Sequence, residues 1–190
     1  MLMRAKSVTE QARRAQIVAA AIATIAELDY AETSFKAIAA RAGLSSTGLI
    51  SYHFKNKQEL VDVVFADVLE RFQDFVNARM GQAGAREELR AFLVANIAFL
   101  REHRADMVAF LRIRANAAVT DGGIAASDHT ALATLLRQGQ EAGEFRAFDP
   151  DVMAVFVLAM RNGVVLRSGS LDLDVCEQEL VAAVDLATRS

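Results

Sequence analysis

Side-chain hydroxyls crowd one short stretch of this chain. Between Leu44 and Lys57 stand Ser45, Ser46, Thr47, Ser51 and Tyr52, followed by His53, with Lys55 and Lys57 at the far end. Hydroxyls and amines of this kind reach phosphate oxygens and base edges, and Gly48 in their midst lets a backbone approach closely. Just upstream, Thr33, Ser34 and Lys36 add two hydroxyls and an amine. Thr33 or Ser34 is expected to cap a short helix, because a side-chain oxygen there satisfies a free N–H of the first turn. Lys57 is the strongest single candidate for a phosphate. Leu49, Ile50 and Phe54 are expected mostly in the core.

These residues need elements to hold them. Phe35, Ile38, Ala39 and Ala42 fall on one face of a short helix that Gly43 stops. A second short helix runs through TGLISYHF. Two short helices around a glycine-containing turn make a helix-turn-helix, whose second helix enters a major groove. Before them, Ile17, Ala20, Ala21, Ile22, Ile25 and Leu28 recur at helical spacing after a Ser7/Glu10 capping box. After them, Asn56 and Glu59 offer another capping box to a long helix that GQAG ends.

Beyond residue 81 the pattern stays helical but is more apolar. Two amphipathic helices span REELRAFLVANIAFLREH and ADMVAFLRIRANAA. VTDGGIAAS reads as a loop, with the next helix starting at Ser127 and ending at Gly143. Asp149 and Pro150 form an N-cap and N1 pair. The helix they open is apolar on nearly all sides, and LDVCEQELVAAVDLATR closes the chain. The expected fold is all-α with about nine helices. A helix-turn-helix head over residues 7–57 is joined by a linking helix, 56–80, to a helical bundle over 81–190.

Composition is consistent with that division. Residues 1–57 carry eight Lys or Arg and four Asp or Glu, whereas residues 58–190 carry thirteen and twenty. A basic head on an acidic body suits a polyanion-binding module attached to something else. The chain has one proline, no tryptophan and a single cysteine, Cys176, so an internal disulfide is excluded. No apolar run reaches the ~18 residues that cross a bilayer, and the N-terminus has no apolar secretion core, so a cytoplasmic protein is expected. Phosphate-binding glycine loops, HExxH, nucleophile elbows and ligand-spaced His and Cys are all missing. No enzyme, cofactor or metal site is expected.

Two further groups stand out in the body. Asn96, His103, Arg114, Arg161 and Asn162 interrupt apolar stripes. A buried polar group costs a few kcal/mol unless it finds a partner, so these five are candidates to line a small-molecule cavity. Apolar stripes also run along the last two helices: Val152, Phe156, Ala159, Gly163 and Leu166 on one, Leu173, Cys176, Leu180, Val184 and Ala187 on the other. Such faces are too apolar for a monomer surface, and Gly163 would let a partner helix approach.

Residues 10–69 resemble the DNA-binding head of the TetR family of bacterial regulators, through TSFKAIAARAGLS, STGLISYHF and KNKQEL. STGLISYHF is most similar to the BetI-type branch, whose namesake controls choline-to-betaine osmoprotection genes. The resemblance implies a homodimer whose last two helices form a four-helix bundle across the two-fold axis. It also implies a double-stranded DNA operator, a small-molecule effector and phosphate contact by the residue capping the short helix. One departure stands out. Gly43 to Phe54 is eleven residues where the family generally has ten; anchoring at Phe54 keeps Ser46, Thr47 and Gly48 at the contact positions. The family often has tyrosine where Ser51 stands. A choline pocket needs an aromatic cage, and both tyrosines, Tyr30 and Tyr52, lie in the head. The expected function is a ligand-responsive regulator, with a repressor favoured over an activator. The rival from another class is a helical small-molecule carrier or enzyme in which the head is only packing. An apolar or long charged residue at Ser46, Thr47 and Tyr52 would have favoured that rival.

Overall fold

A computed structural model describes residues 8–81, 84–116 and 123–190. Among these, nine helices follow one another: α1 Val8–Leu28, α2 Phe35–Arg41, α3 Gly48–His53, α4 Lys57–Asn77, α5 Ala85–Glu102, α6 Arg104–Arg114, α7 Gly123–Glu141, α8 Pro150–Arg167 and α9 Leu173–Thr188. The fold is all-α, with one isolated bridge between Phe145 and Arg189. Ser7 lies outside the described residues. α7 begins at Gly123, earlier than the Ser127 start expected from the sequence. The residues after Gly123, Ile124, Ala125 and Ala126, are adequate or strong helix formers, so the helix extends back to Gly123.

Capping chemistry sets several boundaries. The Ser34 hydroxyl accepts from the Ala37 N–H at 3.2 Å, so Ser34 and not Thr33 caps α2. Gly43 ends α2 with φ +66°, where an L side chain is strained. Gly43 N donates to Ala40 O and Leu44 N to Ala39 O, the paired bonds of a Schellman motif. Asn56 Oδ1 accepts from Glu59 N at 2.9 Å, while the Glu59 carboxylate reaches back to Lys55 N at 2.7 Å. Asp149 accepts from Asp151 N and Val152 N, with Pro150 behind it.

The chain divides into two compact units, one of Met1–Leu69 with Val108–Val119, the other of Glu70–Met107 with Thr120–Ser190. The division falls inside α4 and inside α6. In the first unit, Ile17, Ala21 and Ile25 of α1, Ile38 of α2, Ile50 of α3 and Leu60 and Val64 of α4 are buried. The end of α6 joins them: Phe110 stacks on Phe65 with centroids 4.7 Å apart, and Arg112 donates to Ile25 O at 3.0 Å.

The second unit is built on α5, α7, α8 and α9. Its core includes Leu89, Leu93 and Ile97, Leu132 and Leu136, Ala154 and Val157, and Leu180 and Val184. The Glu144 carboxylate accepts from Ala85 N and Arg86 N, capping α5 from a distant part of the chain. At Gly139 an added Cβ would stand 2.2 Å from the Phe145 ring, so only glycine fits there.

The two last helices divide their apolar residues differently from one another. α8 buries Met153, Ala154, Val157, Leu158 and Val165, and leaves Val152, Phe156, Ala159, Gly163 and Leu166 exposed. Val155 and Met160 extend that exposed face. For α9 the expectation needs correction. Leu180 and Val184 are buried in the chain's own core, with Leu173 and Ala187 packed against it and Cys176 half-buried. The exposed large apolar residues next to and on α9 are Leu171, Val175 and Leu186. An amphipathic period marks one stripe but not which body it packs against, and here the stronger stripe serves the unit's own core.

Candidate nucleic-acid interface

α3 carries its polar residues outward. Ser45, Ser46, Thr47, Gly48, Ser51 and Tyr52 are exposed, while Ile50 and Phe54 are buried at 0% and 1% exposure. Two buried anchors spaced four residues apart fix the helix's rotation, so the opposite face must be the hydroxyl-bearing one. Burying each anchor is worth about 1.5–3 kcal/mol. Arg14 lies over the Phe54 ring, 5.0 Å from its centroid, and α1's Gln16 donates to Ala42 O at 2.8 Å. These contacts hold the turn against α1.

Thr47 stands at the N-cap of α3 without a side-chain capping bond. Ser46 Oγ instead accepts from Gly48 N at 3.3 Å. The run Ser45–Thr47 before α3 is exposed, and Phe54 is buried. Tyr52 is 73% exposed and meets the half-buried His53 edge to face at 5.1 Å. Leu49, expected mostly in the core, is 43% exposed beside them.

The upstream residues are less uniform. Ser34 and Lys36 are exposed, whereas Thr33 is buried and donates to Asp29 O at 2.7 Å. Asp29 has φ +80°, so the α1–α2 turn leans on that bond. Lys55 is exposed. Lys57 is half-buried: its Nζ donates to Tyr30 O and sits 4.2 Å from the centre of the Tyr30 ring. Burial lowers its pKa from the usual lysine value. Tyr30 in turn donates through its hydroxyl to Gln58 Oε1. The sequence does not foresee this Lys57–Tyr30 pairing, since the two are 27 residues apart.

In the second unit, three of the polar residues singled out from the sequence come together. Arg161 is 1% exposed; its Nη1 donates to Asn96 Oδ1 and its Nε to Asn162 Oδ1, both at 3.1 Å. Asn96 donates onward to Phe92 O at 2.7 Å. Asp128, which the sequence reading passed over, completes the cluster with Oδ2 3.7 Å from Arg161 Nη1. His103 goes elsewhere, 3.5 Å from Asp106 and against the Phe99 ring at 4.6 Å. Asp106 is held by both Nη atoms of Arg71. Arg114 lies in the first unit, over Phe110. The five therefore do not line one cavity.

A cavity of about 440 Å³ does exist in the second unit, walled by α7, α5, the end of α4 and Met80. Of the Arg161 cluster, Asp128 reaches it. Among the described residues, no group of three or more His, Cys, Asp or Glu could hold a metal ion. No helix among them is long and apolar enough to cross a membrane.

Comparison with known proteins gives the same picture. The family model for bacterial regulatory proteins of the tetR family matches residues 17–64. The chain is similar to the HTH-type transcriptional regulator BetI of Cronobacter sakazakii, 33% identical over 102 residues, 52% of this chain and 50% of that protein. It is also similar to the BetI of Stenotrophomonas maltophilia, 32% identical over 93 residues, 48% of this chain and 47% of that one. The chain thus spans about half the length of these curated relatives. A bacterial regulatory protein of the tetR family from Rhodococcus RHA1 shares the fold, with TM-score 0.77 and 21% identity over 94% of this chain and 98% of that one.

Proposed function

We propose, for a chain that belongs to the TetR family of bacterial transcriptional regulators, that it is a ligand-responsive repressor binding a palindromic operator as a homodimer in the cytoplasm. The observation that carries this reading is the face of α3. Ser51 and Tyr52 stand exposed on a helix whose rotation is set by buried Ile50 and Phe54, and Ser46 and Thr47 are exposed in the turn that leads into it. A helix built only for packing has no use for that arrangement.

On DNA, the N-terminal turn of α3 lies in the major groove, with Ser46 and Thr47 toward base edges and Tyr52 toward the backbone. Ser34, Lys36 and Lys55 meet phosphates, and their contribution weakens with salt as counterions are released. Thr33 and Lys57 serve this surface mainly by holding the turns behind it. The exposed apolar face of α8, with Leu171, Val175 and Leu186, supports a two-fold partner. Two heads then meet two half-sites at a fixed spacing.

A small molecule in the second unit favours a state whose heads are misplaced for the operator. It must bind that state more tightly than the other, since equal affinity shifts nothing. α4, which passes from one unit into the other, carries the change. A mobility-shift series on the DNA upstream of its own gene tests this, with wild type and the Ser46→Ala/Thr47→Ala pair. Sequence-preferring binding by wild type, lost in the pair, is expected; no sequence preference in wild type overturns the reading.

A further inference from the structure

We propose that the cavity walled by α4, α5 and α7 takes a monocationic amphiphile, a single positive charge on an apolar body. The proposal rests on the reading of the second unit as the effector-binding part, and it names the class of that effector. The apolar walls are Phe72 and Val76 of α4, Met80 after it, Phe92 of α5, and Leu132 and Leu135 of α7. Their volume, about 440 Å³, suits a compact organic molecule. Among the described residues, two charged side chains line the space, Glu88 and Asp128, and both are carboxylates. The remaining polar lining is neutral amide and hydroxyl.

The charge balance is what selects the occupant. Asp128 faces the buried Arg161 at 3.7 Å, so that pair is close to neutral. Glu88 is half-buried and, among the described residues, its carboxylate has no hydrogen-bonding or ionic partner. No lysine or arginine lines the cavity among the described residues. One uncompensated negative charge beside apolar walls favours one positive charge and repels an anion. A ligand ammonium near the Phe72 and Phe92 rings would gain further attraction from their faces.

Isothermal titration of the full chain with octyltrimethylammonium and with octane-1-sulfonate, which share a tail and differ in charge, decides the matter. The ammonium is expected to bind saturably, and the sulfonate about tenfold or more weakly. Glu88→Gln, with helicity checked by circular dichroism, lowers ammonium affinity about fivefold, the effect of one half-exposed ion pair. Equal binding of both probes, preference for the sulfonate, no saturable binding of either, or a folded Glu88→Gln chain with unchanged affinity overturns the proposal. If Glu88→Gln does not fold, the two probes on wild type still decide. The operator mobility shift on the same protein separates the two readings. Operator binding without charge discrimination sinks this proposal alone, whereas charge discrimination without operator binding sinks the regulator reading alone.

Discussion

α3 and α8 each leave a face uncovered, and the two faces are opposite in kind. α3 and the turn before it show solvent mostly hydroxyls and glycine, with Leu49 partly exposed among them, while α8 shows Val152, Val155, Phe156, Met160 and Leu166. Water satisfies the first and not the second. The polar face therefore costs the monomer little and is free to meet a hydrated polyanion. The apolar one loses free energy until something covers it. On the proposed reading, the first suits a reversible, salt-dependent contact and the second a lasting dry one.

The sharpest way to break the contrast is to remove what orients α3. Phe54→Ala empties a fully buried site and should cost the first unit about 3–5 kcal/mol, read as a lower denaturation midpoint, with DNA binding lost alongside. In the second unit, Arg161→Leu removes the buried positive charge facing Asp128 and should cost about 3 kcal/mol; the double Arg161→Met/Asp128→Leu chain recovers much of that, measured in the same denaturation series. Phe156→Glu puts a charge on the exposed face of α8. If the proposed homodimer forms, this variant should sediment as a monomer with helicity kept, because that side chain is not part of its own chain's core.

Smaller effects sharpen the comparison. The Ser46→Ala/Thr47→Ala pair should weaken operator binding by about 1–3 kcal/mol without moving the denaturation midpoint, a loss of recognition with the fold intact. Ser34→Ala removes the α2 cap and should cost about 1 kcal/mol of stability; a larger loss in DNA affinity than in stability would place Ser34 on phosphate as well.

Much of the first unit was legible in advance because its signals are local. A cap, a glycine with positive φ, and two apolar anchors four residues apart specify α2, the turn and α3 within about twenty residues. The cap at Ser34, the stop at Gly43 and the capping pair Asn56/Glu59 all appear where the pattern put them. The second unit was legible as helices but not as faces. α9 has apolar residues on two sides, and periodicity cannot say which side meets its own chain. The polar residues Asn96, Arg161 and Asn162 were visible as anomalies, but Asp128 was not, because a carboxylate near a helix start looks like an ordinary surface residue.

By itself, the sequence determined the helices, the ends marked by Ser34, Gly43, Asn56 and Asp149, and the exposed hydroxyls around α3, since each depends on neighbours a few positions away along the chain. The tertiary structure decided the rest. It set Lys57 against Tyr30, Phe110 against Phe65, Asp128 against Arg161, and Leu180 and Val184 in the core rather than outside it. Those pairings join residues far apart in sequence, and their energies depend on distance and burial, which no one-dimensional pattern contains.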